Sequence, residues 1–250
     1  MARAKHDESL NGQVALVTGA GIRLGRAIAL ALAGAGCDLV LHYRTSKKEV
    51  IDLQHRIERM GRQAKVLRAD LSKGSATRKL AHEAERAFGR VDILVNSAAI
   101  FWPTALEKLN EREFDTFIKI NLKSPYILTA EIGKRMKQRG HGTIINIACI
   151  SGLRPWKAFV PYSISKAGVV ALTVATAKLL APEVRVNAIA PGTVLPPEGM
   201  DAGQVRNIKE RLPLKKIGSP DDIVSAVLYL CSAQFVTGQV LCVDGGRSIV

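Results

Sequence analysis

The chain has 250 residues, 47% of them apolar but only 5% aromatic, a composition suited to a core of Ala, Val, Ile and Leu such as a parallel sheet buried between helices. No apolar run approaches the roughly 20 residues a bilayer requires, and the opening MARAKHDESLNG lacks the apolar centre of a signal peptide, so a soluble, cytoplasmic protein with no membrane partner is expected. The 36 Lys and Arg against 22 Asp and Glu give a formal charge of +14; this suits nucleic acid, a membrane surface or a polyanionic small molecule and by itself selects none.

Many cations fall on helical stretches such as KKEVIDLQHRIER, where a solvated face accounts for them. No nucleic-acid motif accompanies them, and nucleic acid is not an expected partner.

In chain order, VALVT, DLVLHY, AKVLRAD, DILVN, GTIINIA, VRVNAIA and QVLCVD read as strands. Between them Leu24–Ala35, Lys47–Met60, Ser75–Phe88, Glu111–Gln138, Tyr162–Leu180 and Pro220–Cys231 have helical length or periodicity. This alternation predicts a single α/β domain over residues 12–250, a Rossmann-type doubly wound parallel sheet of about seven strands with helices on both faces. Residues 1–11 are expected to be a flexible segment. The long loop Pro191–Lys216 is the expected lid, because loops of that length are uncommon unless functional.

In such a sheet ligands bind beyond the carboxyl ends of the strands, and the first strand-to-helix turn is the expected phosphate site. TGAGIRLG occupies that turn with Gly19, Gly21 and Gly25, but departs from the strict GxGxxG spacing and carries Arg23 and Leu24 among its glycines. Alone it fits either a cofactor cradle or a plain tight turn. About 20 residues further on, where an NAD-binding chain places an acid for the ribose hydroxyl, LHYRTS supplies His42, Tyr43, Arg44, Thr45 and Ser46. A cation with hydroxyls suits a 2′-phosphate, which favours NADP(H).

Tyr162 and Lys166 in PYSISKAG lie four apart and share a helix face. Tyr43 and Lys47 repeat the spacing, so position has to separate the two pairs: Tyr162 follows the fifth strand, where a nicotinamide lies. A neighbouring lysine can lower the phenol below about 10 and orient the cofactor ribose, letting Tyr162 act as a general acid. The four cysteines, Cys37, Cys149, Cys231 and Cys242, form no CxxC pair and no zinc-ligand spacing, so no metal is expected.

TGAGIRLG, Asp70 in RADLS, VNSAA, Asn121 in KINL, the Tyr162–Lys166 pair, VRVNAIAPG and VTGQVLCVDGG together resemble the short-chain dehydrogenase/reductase family over essentially the whole chain. The resemblance implies that Tyr162 is the proton donor, Lys166 the ribose-binding lysine, and Asn121 a helix-bending residue holding a proton-relay water. It puts Asp70 and Leu71 at the adenine, Asn96 and Ala98 along the adenosine, and Pro191, Gly192 and Thr193 around the nicotinamide carboxamide. It also implies a homotetramer, or a dimer, acting on a small-molecule substrate.

Two positions depart from the family pattern. Arg23 replaces a usual glycine, and Cys149 stands where the catalytic serine falls; a thiol is the poorer hydrogen-bond donor. Gly19-x-x-x-Arg23-x-Gly25 and Phe101 in NSAAIFWPTAL resemble the pteridine reductase and dihydromonapterin reductase subgroup. A flat ring held between Phe101 and the nicotinamide is then expected, with Arg23, Trp102, Cys149, Trp156 and Leu195 completing the substrate wall. The expected activity is NADPH-dependent hydride transfer to a C=O or C=N group of a pterin-like or small carbonyl compound. A 3-oxoacyl thioester reductase and a non-catalytic NADP(H)-binding protein are the alternatives.

Overall fold

The computed structural model describes residues 10–104, 106–107, 110–196 and 199–250. Seven strands, β1 (Val14–Val17), β2 (Asp38–Tyr43), β3 (Ala64–Arg68), β4 (Ile93–Asn96), β5 (Gly142–Ile147), β6 (Val184–Pro191) and β7 (Val240–Val243), form one sheet. Its order is β3-β2-β1-β4-β5-β6-β7 and every pairing is parallel. The order reverses between β1 and β4, the switch point at which ligands bind in open α/β sheets.

Successive side chains of β1 alternate between two cores, as the period of a strand requires. Ala15 and Val17 face α1 (Arg23–Gly34), α2 (Lys47–Arg59) and α8 (Pro220–Ser232) through Ile28, Leu32, Leu53, Ile57 and Leu230. Val14 and Leu16 face α3 (Gly74–Phe88), α5 (Ser124–Arg139) and α6 (Val160–Leu180) through Leu80, Leu128, Ile132 and Leu180. Each of these Val, Leu and Ile side chains contributes roughly 1.5–3 kcal/mol on burial. By length and composition α6 is apolar enough to cross a membrane, but it buries Val169, Ala177 and Leu180 in the cores beside the sheet, as the core helix of an α/β domain does.

Three expectations change. Of the segment 1–11 expected to be flexible, residues 1–9 lie outside the described residues, and Leu10 is buried and donates its N–H to the Ala35 carbonyl. The single helix expected over Glu111–Gln138 is α4 (Glu111–Phe117), a π-helical turn at Ile118–Lys123, then α5. The loop Pro191–Lys216 contains α7 (Ala202–Arg211), started by a reciprocal cap in which Asp201 accepts from the Gln204 N–H and Gln204 accepts from the Asp201 N–H.

Candidate active site

The turn Thr18–Ile22 joins β1 to α1 at the switch point. Gly19 has φ +67°, and a Cβ there would stand 3.0 Å from the Ala98 Cα; a Cβ on Gly25 would run into the Gly19 carbonyl. These glycines let α1 dock directly on the turn. Arg23 also lies in the left-handed region, with φ +50°, which explains why a glycine suits this position and costs a side-chain-bearing residue roughly 1–2 kcal/mol. Its guanidinium crosses the cleft, Nη2 donating to the Leu195 carbonyl at 2.9 Å and, at 3.5 Å, to that of Pro196. No side chain caps α1 and no acid occupies its first turn, so its N-terminal end is suited to an anion.

His42 behaves unlike the cation its place suggests. Its Nδ1 accepts from the Gly19 N–H at 3.2 Å, so the proton resides on Nε2, which faces the Ala69 carbonyl at 3.2 Å. Burial lowers its pKa to about 4, leaving a neutral ring that braces the glycine turn. The positive edge is made instead by exposed Arg44, beside Thr45 and Ser46, and by Arg68, whose Nε donates to the Arg44 carbonyl at 3.2 Å. Asp70 accepts from the Ser72 hydroxyl at 2.8 Å and N–H at 3.0 Å; these bonds, with Arg44 and Lys73 nearby, hold it below the usual carboxylate range.

A cavity of about 420 Å³ runs from this edge to the end of β5. Gly19, Arg23, Leu24 and Gly25 line its floor, Tyr43 to Ser46 with Asp70 and Leu71 one end, and Tyr162, Lys166, Pro191 and Gly192 the other, with Ala98 between. The sequence reading missed Ile147, Ala148 and Val194, apolar wall residues with no distinctive motif. Two of the expected cofactor residues lie off the cavity. Asn96 is buried and joins β4 to β5, Nδ2 donating to Asn146 Oδ1 at 2.8 Å. Thr193 accepts on Oγ1 from Arg247 Nη1 at 2.7 Å. A dinucleotide fits this cavity: glycine backbone and an uncapped helix end for phosphates, cations and hydroxyls at one end, and a buried Tyr–Lys pair at the other. Among the described residues no cluster of three His, Cys, Asp or Glu side chains could hold a metal.

At the end of the cavity away from Arg44, Lys166 is buried and its Nζ donates to the Ile147 carbonyl at 2.7 Å. It lies 5.8 Å from the centroid of the Tyr162 ring, and burial lowers its pKa to about 8. Burial pushes the Tyr162 phenol well above its ordinary value, and the Cys149 thiol, in hydrogen-bond contact, pushes it further the same way. The lowering by Lys166 expected from the sequence does not emerge: desolvation and Cys149 both raise the phenol, which keeps its proton at neutral pH. The buried Cys149 Sγ accepts from the Ser151 N–H at 3.4 Å. Ser151, the nearest hydroxyl in sequence, is buried and lines neither this cavity nor its neighbour.

Asn121 sits in the π-helical turn, where a longer backbone loop turns its side chain toward β4. Its Oδ1 accepts from the Ile100 N–H at 2.9 Å and its Nδ2 donates to the Ile100 carbonyl at 3.0 Å and to Ser165 Oγ at 3.1 Å. Both ends of the amide therefore fasten the segment that carries Phe101.

A second cavity, about 710 Å³, meets the first at Arg23, Cys149, Tyr162 and Leu195 and adds Phe101 and Trp156. Phe101 stacks on Phe159 with centroids 4.7 Å apart and meets Tyr162 edge-on at 4.8 Å. Trp102 lies outside this cavity, packed on Phe117 at 4.6 Å with Nε1 donating to Glu113 at 2.6 Å. Phe159, Met200, Ile208 and Arg247 complete the wall. Of these Phe159 was legible, three residues past Trp156 and three before Tyr162 on the approach to α6, whereas Arg247 follows the strand motif by chain folding alone.

A family model described as enoyl-(acyl carrier protein) reductase matches residues 19–248. The chain is 37% identical over 249 residues to the 2-dehydro-3-deoxy-D-gluconate 5-dehydrogenase of Bacillus subtilis, covering 96% of this chain and 97% of that one. It is 34% identical over 239 residues to a 3-oxoacyl-[acyl-carrier-protein] reductase of Staphylococcus epidermidis, covering 93% and 97%. Among solved structures, a blue fluorescent protein from a metagenomic library in complex with NADPH superposes with a TM-score of 0.88 at 30% identity, covering 95% and 98%.

Proposed function

Because this chain belongs to the short-chain dehydrogenase/reductase family and is an oxidoreductase using NAD(P)(H), we propose that it is an NADPH-dependent reductase of a small carbonyl compound. The observation that carries the reading is the protonated, buried Tyr162 where the cofactor-shaped cavity opens into the aromatic one. When bound, NADPH supplies the hydride. The chain's task is to hold the carbonyl with its oxygen toward Tyr162, which delivers the proton to that oxygen, so that a ketone leaves as an alcohol.

In this reading Lys166 fixes the ribose and keeps positive charge behind the phenol while Asn121 holds the Ile100 segment in place. Cys149 touches the phenol but offers the substrate oxygen only a weak donor. Arg44, Thr45, Ser46 and Arg68 support NADPH over NADH, since no acid stands where one would repel the 2′-phosphate. Residues 191–216, with α7 and the Arg23 contact, form the lid.

Arg23 and Phe101 on the substrate wall also support a pterin-like ring as substrate, but Phe159 already covers one face of Phe101. The relative from Staphylococcus epidermidis favours a 3-oxoacyl thioester as the second reading. We place the protein in the cytoplasm as a homotetramer; exposed Tyr126 on α5 and Ile164 and Leu179 on α6 support association through these helices. The test is NADPH oxidation, followed at the nicotinamide band, with ketones, oxo acids, dihydropterins and acetoacetyl-CoA. Binding of NADPH without turnover of any of them overturns the enzyme reading in favour of a non-catalytic NADP(H)-binding protein.

A further inference from the structure

The substrate cavity is aromatic on one side and cationic on another. Arg247, half-buried just after β7, lays its guanidinium over the Trp156 ring at 4.8 Å and donates from Nη1 to Thr193 at 2.7 Å. Trp156 in turn stands edge-on to Phe159 at 5.7 Å and to Phe101 at 6.3 Å, so the same rings that meet Tyr162 also position the cation. Among the described residues no carboxylate lies within ion-pair distance of Arg247. The nearby Asp244 is occupied, accepting from the Gly246 and Ser248 N–H groups at 2.9 and 2.6 Å.

One threonine hydroxyl and one ring face leave most of the five N–H donors of Arg247 unused. A half-buried arginine with no ion-pair partner among the described residues is costly. Burial does lower its pKa, in keeping with a partly dehydrated cation. Arg154 and Arg211 line the adjoining cavity that shares Trp156 and Arg247, while the chain-terminal Val250 lies there as well. Among the described residues, the walls of the substrate cavity contain Arg23 and Arg247 and no acidic side chain.

We propose that the substrate of this chain carries a carboxylate on the same small skeleton as its reducible carbonyl, and that Arg247 binds it with the aromatic rings covering the apolar part. The inference rests on the reductase reading above and narrows it to oxo acids. A carboxylate is favoured over the phosphate of an acyl-thioester arm because Arg247 lines the same cavity as Cys149 and Tyr162. The anion is therefore held near the reacting carbonyl, not at the far end of a long arm.

The experiment compares phenyl-substituted oxo acids of increasing chain length, their methyl esters and an acyl-CoA thioester, in the full chain and in Arg247→Gln and Arg247→Lys. We expect the acids to exceed their esters in kcat/KM by at least ~10-fold, the size of one charge-assisted contact. Arg247→Gln should erase that advantage through KM, lowering kcat/KM for the acids far more than for their esters, and Arg247→Lys should restore part of it. Acids and esters that are reduced equally, or a thioester that alone responds to Arg247, overturn the inference while leaving the reductase reading intact. If nothing is reduced, calorimetric titration of phenylpropionate into the NADP⁺-saturated protein decides. Binding lost in Arg247→Gln upholds the anion site although the enzyme reading has failed, and absent or Arg247-independent binding overturns both.

Discussion

The guanidinium of Arg23 donates to the main-chain carbonyl of Leu195, 172 residues later in the chain, at 2.9 Å. A residue at the phosphate end of the cofactor cavity thereby holds the segment that leads into α7. Replacing it by glycine should relieve the left-handed backbone while releasing the segment, so the two effects on stability nearly cancel. Arg23→Gly is expected to keep its Tm within a few degrees of the parent but to release NADPH roughly tenfold faster, as one charge-assisted bond is worth. Stopped-flow displacement of bound NADPH measures this.

Tyr162→Phe should lower kcat by about 10²–10⁴-fold, the usual contribution of a positioned general acid, with NADPH still bound. Cys149→Ser should raise kcat by about tenfold, since a hydroxyl donates a stronger hydrogen bond than a thiol. Equal rates for both variants and the parent would remove the proton-donor assignment. Turnover should fall above pH 8 as Lys166, with its pKa lowered to about 8, loses charge.

Arg44→Ala should raise the Kd for NADPH by about 10–100-fold and leave that for NADH unchanged, because the lost contact is with the 2′-phosphate alone. Equilibrium titration of cofactor fluorescence reads both constants. A parallel loss for the two cofactors would mean that Arg44 shapes the β2 edge instead of selecting the nucleotide.

His42 makes stability fall in acid. Its folded pKa of about 4 is below the ordinary 6.5, so the unfolded chain takes up the proton first. The stability is fully present above pH 6.5 and is lost as pH falls through about 4, an amount on the order of 3 kcal/mol. Urea titrations across this window should show a shallower loss for His42→Asn than for the parent; identical slopes contradict a neutral buried imidazole.

Ile164→Asp and Leu179→Asp place charges on the exposed face of α6. Light scattering should report a smaller assembly for these variants than for the parent. A parent that is already monomeric refutes the proposed tetramer.

The alternation of β-branched runs with amphipathic stretches made the sheet legible, because a two-faced parallel sheet demands that pattern everywhere. The Tyr162–Lys166 pair was legible by its place after the fifth strand. Less visible were features created by backbone geometry: the π-helical turn at Asn121 and the left-handed Arg23. The neutral state of His42 depends on burial and on one N–H of Gly19, neither of which a residue type announces. Arg247 escaped notice because only the folded C-terminal turn brings it to Trp156. α7 was hidden in apparent loop by weak periodicity, although the Asp201–Gln204 cap marks its start.

α7 buries none of its residues, yet Met200 just before it and Ile208 within it form part of the substrate wall. The walls supplied by Cys149, just past β5, and by Tyr162 on α6 are built into the core, where a changed volume costs several kcal/mol. Ile208 sits on an element whose remodelling leaves the core untouched. Substrate preference in this protein can therefore drift through α7 at little risk to folding, while the proposed proton donor Tyr162 stays locked in the core.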